Sequence, residues 1–93
     1  MNKERFHNQL ALRLGYDHIV NNKGIAIKVE YDNPNDPRIV IDLHEGVTEG
    51  FYASEEPAVV FLRLRQQDDV RKEILTIIDA VHQAYTEANK HIF

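Results

Sequence analysis

Apolar side chains in the last third of the chain recur with the spacing of an α-helix. They follow one another at intervals of three or four residues, in the order Val70, Ile74, Ile77, Val81, Tyr85 and Ala88. This spacing places them on one face and predicts a long amphipathic helix. Asp68 and Asp69 before it, and Lys90 and His91 after it, have the charges that stabilise the two ends of a helix dipole.

A shorter helix is predicted at the start of the chain. Apolar residues recur every four positions from Phe6, and Asn2 precedes them as a suitable N-cap. Gly15 suits the left-handed residue that ends a helix. We therefore predict a helix from Lys3 to Leu14, in which Leu12 widens the apolar stripe.

Between the two helices, apolar and polar residues alternate, which predicts strands with one buried face. The first run extends from Ile25 to Tyr31 and the second from Ile39 to Leu43. The segment from Asp32 to Pro37 favours turns, so the two runs are predicted to form a β-hairpin. A third strand is predicted from Val47 to Ala53, with Gly50 weakening it or marking a bulge.

The sequence pattern identifies the secondary structure of two segments less clearly. A short extended segment is predicted from Tyr16 to Val20. Val59 to Arg65 begin with three β-formers and continue with alternating apolar and basic residues, so we predict a fourth strand there. The alternative is a helix that Ser54 caps and that continues through Ala58.

These elements predict a single α+β domain over residues 1–93, a two-layer sandwich in the order α-β-β-β(-β)-α. Consecutive strands joined by short loops are normally antiparallel, and two helices with one apolar stripe each need a shared surface. Both helices are therefore predicted to lie on one face of an antiparallel meander. The predicted core-facing strand residues are Ile25, Ile27, Val29, Ile39, Ile41, Leu43, Leu62 and Leu64.

The opposite face of the sheet is predicted to be a protein-interaction surface. A sheet face open to water is usually polar, whereas this one combines central apolar residues with surrounding charges, as protein interfaces do. The alternative is that these apolar residues are isolated and have no function. The predicted interaction residues are Lys28, Val40, Asp42, Val59, Phe61 and Arg63.

Composition narrows the class of function. The chain has 43% apolar and 28% charged residues, no cysteine and a formal net charge of −4, which is typical of a globular protein. The acidic balance argues against direct binding of nucleic acid or anionic lipid. No secretion signal and no membrane-spanning apolar run are visible, so we expect no membrane association and a cytoplasmic protein.

Candidate chemistry is sparse. Asp42, His44 and Glu45 form the one local carboxylate and histidine cluster in the sequence, and a metal site there is a minor alternative. The oxygen-rich loop from Asp32 to Asp36 departs from the calcium-loop pattern and is better explained by turn formation. Ser54 lacks a nucleophile-elbow context, and the glycines do not form a phosphate-binding loop. We predict no catalytic residues and no cofactor.

Three classes of function follow, of which the first is preferred. It is a small, acidic, non-catalytic interaction module, working as a homodimer or as an adaptor or regulator that binds another protein. The second is an acidic inhibitor or regulator of a nucleic-acid-processing protein, whose carboxylates compete for a basic groove. The third is a small-ligand or metal-binding domain around Asp42 and His44.

Overall fold

A computed structural model describes residues 1–14, 25–42, 48–64 and 71–90. Within these ranges the chain forms an α+β fold in which helices pack on an antiparallel meander, as the sequence predicts. The order of elements is α-β-β-β-α-α, because the predicted fourth strand is a helix. The elements are α1 (Lys3–Leu14), β1 (Ala26–Glu30), β2 (Arg38–Asp42), β3 (Thr48–Tyr52), α2 (Pro57–Leu64) and α3 (Arg71–Ala88).

The first helix has the predicted bounds and the predicted cap. The backbone N–H of Arg5 donates to the Asn2 side-chain oxygen at 3.0 Å, which satisfies one of the free amides at the start of a helix. Phe6 and Leu10 are buried in the core. The prediction that Leu12 extends the apolar stripe is wrong, because 78% of its surface is exposed.

The long C-terminal helix is also confirmed. Its buried positions include Ile74, Ile77 and Val81, and its small residue Ala84 is fully buried. The predicted contribution of Val70 and the predicted end signals at 68–69 and 91 lie outside the described residues. Across the parts of the chain that the structure describes, we find no helix that is both long enough and apolar enough to cross a membrane.

The sheet has the order β1-β2-β3, with both pairs antiparallel. The predicted hairpin and the predicted third strand are therefore confirmed. Gly50 lies opposite Val40 in a regular register, without a bulge. The sheet and the helices enclose the core, whose buried residues include Phe6, Leu10, Ile25, Ile39, Ile41, Phe51, Val60, Leu64, Ile74, Ile77 and Val81.

The predicted strand over Val59 to Arg65 is wrong, because residues 57–64 form α2. Pro57 is the first residue of this helix, where its fixed φ and missing N–H are no disadvantage. The N–H of Val60 then donates to the backbone oxygen of Glu56 at 3.1 Å, which closes the first helical turn. Burial of Val60 and Leu64, four residues apart, holds the helix on the core.

The helical alternative is correct for this segment, but its predicted cap is not. The Ser54 side chain donates to Asp36 at 2.6 Å, and the Ser54 backbone N–H donates to the other Asp36 oxygen at 3.0 Å. Ser54 therefore joins the β3–α2 connection to the β1–β2 loop. The predicted extended segment, Tyr16 to Val20, lies outside the described residues, as do Leu43 and Arg65.

Candidate interaction surface

The six predicted interaction residues do not all lie on the outer sheet face. They were expected on the outer sheet face, but three of them belong to a helix. The first group is Lys28, Val40 and Asp42 on the outer sheet face, and the second is Val59, Phe61 and Arg63 on α2. The predicted placement of all six residues on one sheet face is therefore wrong, whereas a role for any of these residues in binding stays a prediction.

Val40 occupies the centre of the outer sheet face, between Lys28 and Gly50 on the neighbouring strands. Only 8% of its surface is exposed. The Arg38 guanidinium binds Glu30 at 2.9 Å and also lies so close to Gly50 that an added Cβ would stand 2.7 Å from its Nη2 atom. The Arg38 side chain, which comes from β2, thus contacts Glu30 on β1 and lies close to Gly50 on β3. Val40 therefore offers little apolar surface to a partner.

The candidate metal ligands have other roles where the structure describes them. The Asp42 carboxylate accepts a hydrogen bond from the Thr48 hydroxyl at 3.3 Å, while His44 and Glu45 lie outside the described residues. No three His, Asp or Glu side chains converge as a metal-binding group in residues 1–14, 25–42, 48–64 and 71–90. In the oxygen-rich loop, the Asn33 side chain accepts the backbone N–H of residue 35 at 3.0 Å, which is the turn chemistry predicted there.

The second helix is apolar on both sides. Its inner side buries Val60 and Leu64, while Val59 and Leu62 expose 54% and 56% of their surface on the other side. A helix at the surface of a globular protein normally has a polar outer side, and exposed apolar patches mark contact sites. Phe61 lies between the two sides, partly buried against the core. We call the exposed side the α2 outer face, formed by Ala58, Val59, Leu62 and Arg63 of the helix together with Glu56, the exposed residue that precedes it.

Next to α2, strand β3 is at the edge of the described sheet. The Ala53 N–H donates to the Pro37 backbone oxygen at 2.9 Å, which places these two residues in a hydrogen-bonded pair of the ladder. In an antiparallel pair, such positions alternate with positions whose backbone groups point away from the partner strand. The backbone groups of Gly50 and Tyr52 therefore point to the outer edge, where unpaired groups invite another strand.

Two side chains cover this edge. Glu55 accepts the Tyr52 N–H at 2.7 Å, and Arg63 donates to the Gly50 backbone oxygen at 3.0 Å. The two side chains also bind each other, with 2.8 Å between Arg63 Nη1 and Glu55 Oε1. One ion pair thus anchors α2 to β3 and satisfies one donor and one acceptor of the edge strand.

The same contacts change the pKa values of both members of the ion pair. The hydrogen bond from Arg63 lowers the pKa of the Glu55 carboxyl below its ordinary value, and the Tyr52 N–H adds to this effect. The hydrogen bond to Glu55 raises the pKa of Arg63. Glu55 is therefore engaged within the chain, which makes it less available as one of the carboxylates of an acidic inhibitor.

Among the grooves on the described surface are two candidate ligand sites. The larger, of about 550 Å³, lies between the β3–α2 connection and the C-terminal half of α3. Two of its polar lining residues, Ser54 and Glu55, are already hydrogen-bonded to Asp36 and Arg63. The smaller groove, of about 310 Å³, is lined partly by residues at the ends of described ranges. Those lining residues are Arg13, Leu14, Ile25, Ile27, Lys72, Glu73, Thr76 and Ile77.

The sequence pattern did not identify Leu62 as a surface residue of a helix or Glu56 as the exposed residue that precedes this helix. The signal that could have found them is Pro57, which suits the first position of a helix and follows an acidic residue. The four-residue spacing of Val60 and Leu64 also indicates a helix.

No protein-family model matches this chain, and neither a curated protein nor a solved structure is significantly similar to it.

Proposed function

We propose that this chain is a small, non-catalytic protein-interaction module that binds a protein partner through the α2 outer face. The observation that carries the proposal is the exposure of Val59 and Leu62, each by more than half, on a helix whose other side is already in the core. Covering such side chains removes apolar surface from water, which contributes about 25 cal/mol per Å². The central apolar residues and the flanking Glu56 and Arg63 match the composition of protein interfaces.

The α2 outer face is also held in place before any partner arrives. Val60 and Leu64 are 0% and 1% exposed, so their burial in the core fixes the position of the helix. Arg63 fixes it from the side through Gly50 and Glu55. A surface that is already ordered loses less conformational entropy on binding, which favours measurable affinity from a small contact.

The outer sheet face is a weaker candidate for the contact. Its central residue, Val40, is buried, and Glu30 and Arg38 above it already form an ion pair. We therefore assign the contact to α2 and retain homodimer, adaptor and regulator as forms of this function. A cytoplasmic location is part of the proposal, and the absence of cysteine from the sequence supports it.

Site-specific photo-crosslinking tests this function. A benzophenone amino acid replaces Leu62 in one variant and Leu12 in a matched control, since both leucines are exposed but lie on different helices. Irradiation in the expressing cells should give a discrete covalent protein adduct from position 62 and none from position 12. Adding Val59→Asp to the first variant should abolish the adduct. Equal adducts from both positions, or no adduct from position 62, would show that α2 does not bind a protein.

A further inference from the structure

Acidic, apolar and basic residues follow one another in this order along the α2 outer face. Glu56 stands just before the N-terminal end of the helix, where it also lines the groove beside α3. Val59 and Leu62 occupy the middle of the helix, Arg63 stands near its C-terminal end, and all four residues are exposed to solvent. A second helix with the same order fits this surface when it runs in the opposite direction. We propose that the partner is a second copy of this chain, docked with its α2 antiparallel to the first; this inference rests on the proposed function.

A two-fold axis that passes between the two α2 helices, perpendicular to both and level with their middles, gives this arrangement. It brings Glu56 near Arg63 of the second copy and repeats the same contact on the other side of the axis, as in an isologous interface. It also brings Val59 next to Leu62 of the second copy. The helix has eight residues and a length of about 12 Å, so both ends lie within side-chain reach of the partner. The antiparallel helix dipoles add a favourable contribution.

Arg63 is able to serve both its own chain and a second copy. A guanidinium has five N–H donors, and the internal contacts of Arg63 are three: two with Glu55 and one with Gly50. The side chain is 44% exposed despite these contacts. The internal contacts also fix the guanidinium at the side of α2, so that less freedom is lost when a carboxylate approaches.

The size of the contact sets its strength. Two helices of eight residues bury less than the roughly 1,200 Å² of the smallest stable interfaces, so the dimer should be weak. We expect a dissociation constant above about 1 μM. Sedimentation velocity over a series of concentrations, from micromolar to millimolar, should therefore show a concentration-dependent rise from one chain mass towards two.

Disulfide trapping tests the antiparallel direction directly. The chain has no cysteine, so a single introduced cysteine can form a disulfide only with another chain. Val59→Cys and Leu62→Cys variants, mixed and oxidised, should give mainly the mixed 59–62 disulfide, which intact mass spectrometry separates from the two symmetric products. A Leu12→Cys control should remain largely monomeric. A majority of symmetric 59–59 and 62–62 products, or equal trapping of the control, would overturn the antiparallel dimer.

Charge reversal tests the predicted pairing of Glu56 with Arg63 of the second copy. Glu56→Arg places two arginines together at each end of the interface and should weaken the dimer about fivefold or more at low salt. The effect should shrink as salt is raised. Glu4→Arg is the matched control, because Glu4 is an exposed carboxylate on α1. Equal effects of the two reversals would overturn the pairing.

The two proposals fail in different ways. If the purified chain stays monomeric at millimolar concentration while a crosslinker at position 62 still captures a different protein, the second copy is the wrong partner and α2 remains an interaction surface. If position 62 captures nothing and no dimer forms, both proposals are wrong.

Discussion

Glu55 and Arg63 form an ion pair that also covers the edge of the sheet. Their closest atoms are 2.8 Å apart, and each binds one outward-facing backbone group of β3, at Tyr52 and Gly50. An exposed ion pair by itself contributes little to stability. This pair has a second effect, because an uncovered edge strand can pair with a strand of another molecule.

Replacing Glu55 with alanine should therefore lower stability and promote aggregation. The change removes the acceptor of the Tyr52 N–H and the partner of Arg63, with an expected loss of about 1 kcal/mol in the free energy of unfolding. Urea unfolding at low protein concentration measures the loss, and light scattering during incubation measures aggregation. Glu4→Ala is the control, because Glu4 is an exposed carboxylate on α1. Equal aggregation of the two variants would contradict a role for Glu55 in covering the edge.

The Glu55 contact should also depend on pH in a defined direction. Its pKa is lowered from 4.5 in the folded chain, mainly by the hydrogen bond from Arg63. The stabilisation is therefore complete above pH 4.5 and is lost as the pH falls through the lower, folded-state value. Urea unfolding of the native chain and of Glu55→Gln should show a difference that is constant near pH 6 to 7 and shrinks towards pH 3. A difference independent of pH would mean that the charge of Glu55 contributes nothing.

The elements that the sequence predicts correctly are those with local signals. Helix α1 has a cap at Asn2, and the β1–β2 hairpin has a loop rich in turn-forming residues. The apolar pattern of helix α2 does not distinguish a helix from a strand, because Val59, Val60, Phe61 and Leu62 are consecutive and apolar. An apolar run of this length suits a buried strand as well as a helix, and contacts with the rest of the fold decide between them.

For the candidate surface, the sequence predicted correctly only the face of the sheet on which each strand residue lies. Alternation correctly placed Lys28, Val40 and Asp42 on one face of the sheet. It could not show that the long Arg38 side chain binds Glu30 beside Val40, since side-chain conformation depends on neighbours that are distant in sequence. The burial of Val40 is a consequence of tertiary structure, and so is the exposure of α2.

The hydrogen bonds between Asp36 and Ser54 should contribute measurably to stability. They join two connections 18 residues apart in sequence, and both Asp36 carboxylate oxygens take part, at 3.0 and 2.6 Å. Ser54→Ala removes one bond and should cost about 1 kcal/mol, whereas Asp36→Ala removes both and should cost more, about 1.5 to 3 kcal/mol. Thermal or urea unfolding of the two variants measures this order. The reverse order would show that the Ser54 N–H bond to Asp36 is not stabilising.

Leu62 and Leu64 provide the most direct test of the structure of α2. They lie two residues apart, so a strand would place both on the same face, whereas the helix exposes Leu62 by 56% and buries Leu64 to 1%. Leu64→Ala should cost about 2 to 4 kcal/mol in unfolding free energy, and Leu62→Ala less than about 0.5 kcal/mol. Urea unfolding at low protein concentration, where no dimer forms, gives both values with the same side-chain change. Similar large losses for the two variants would favour the strand and would remove the α2 outer face as a binding surface.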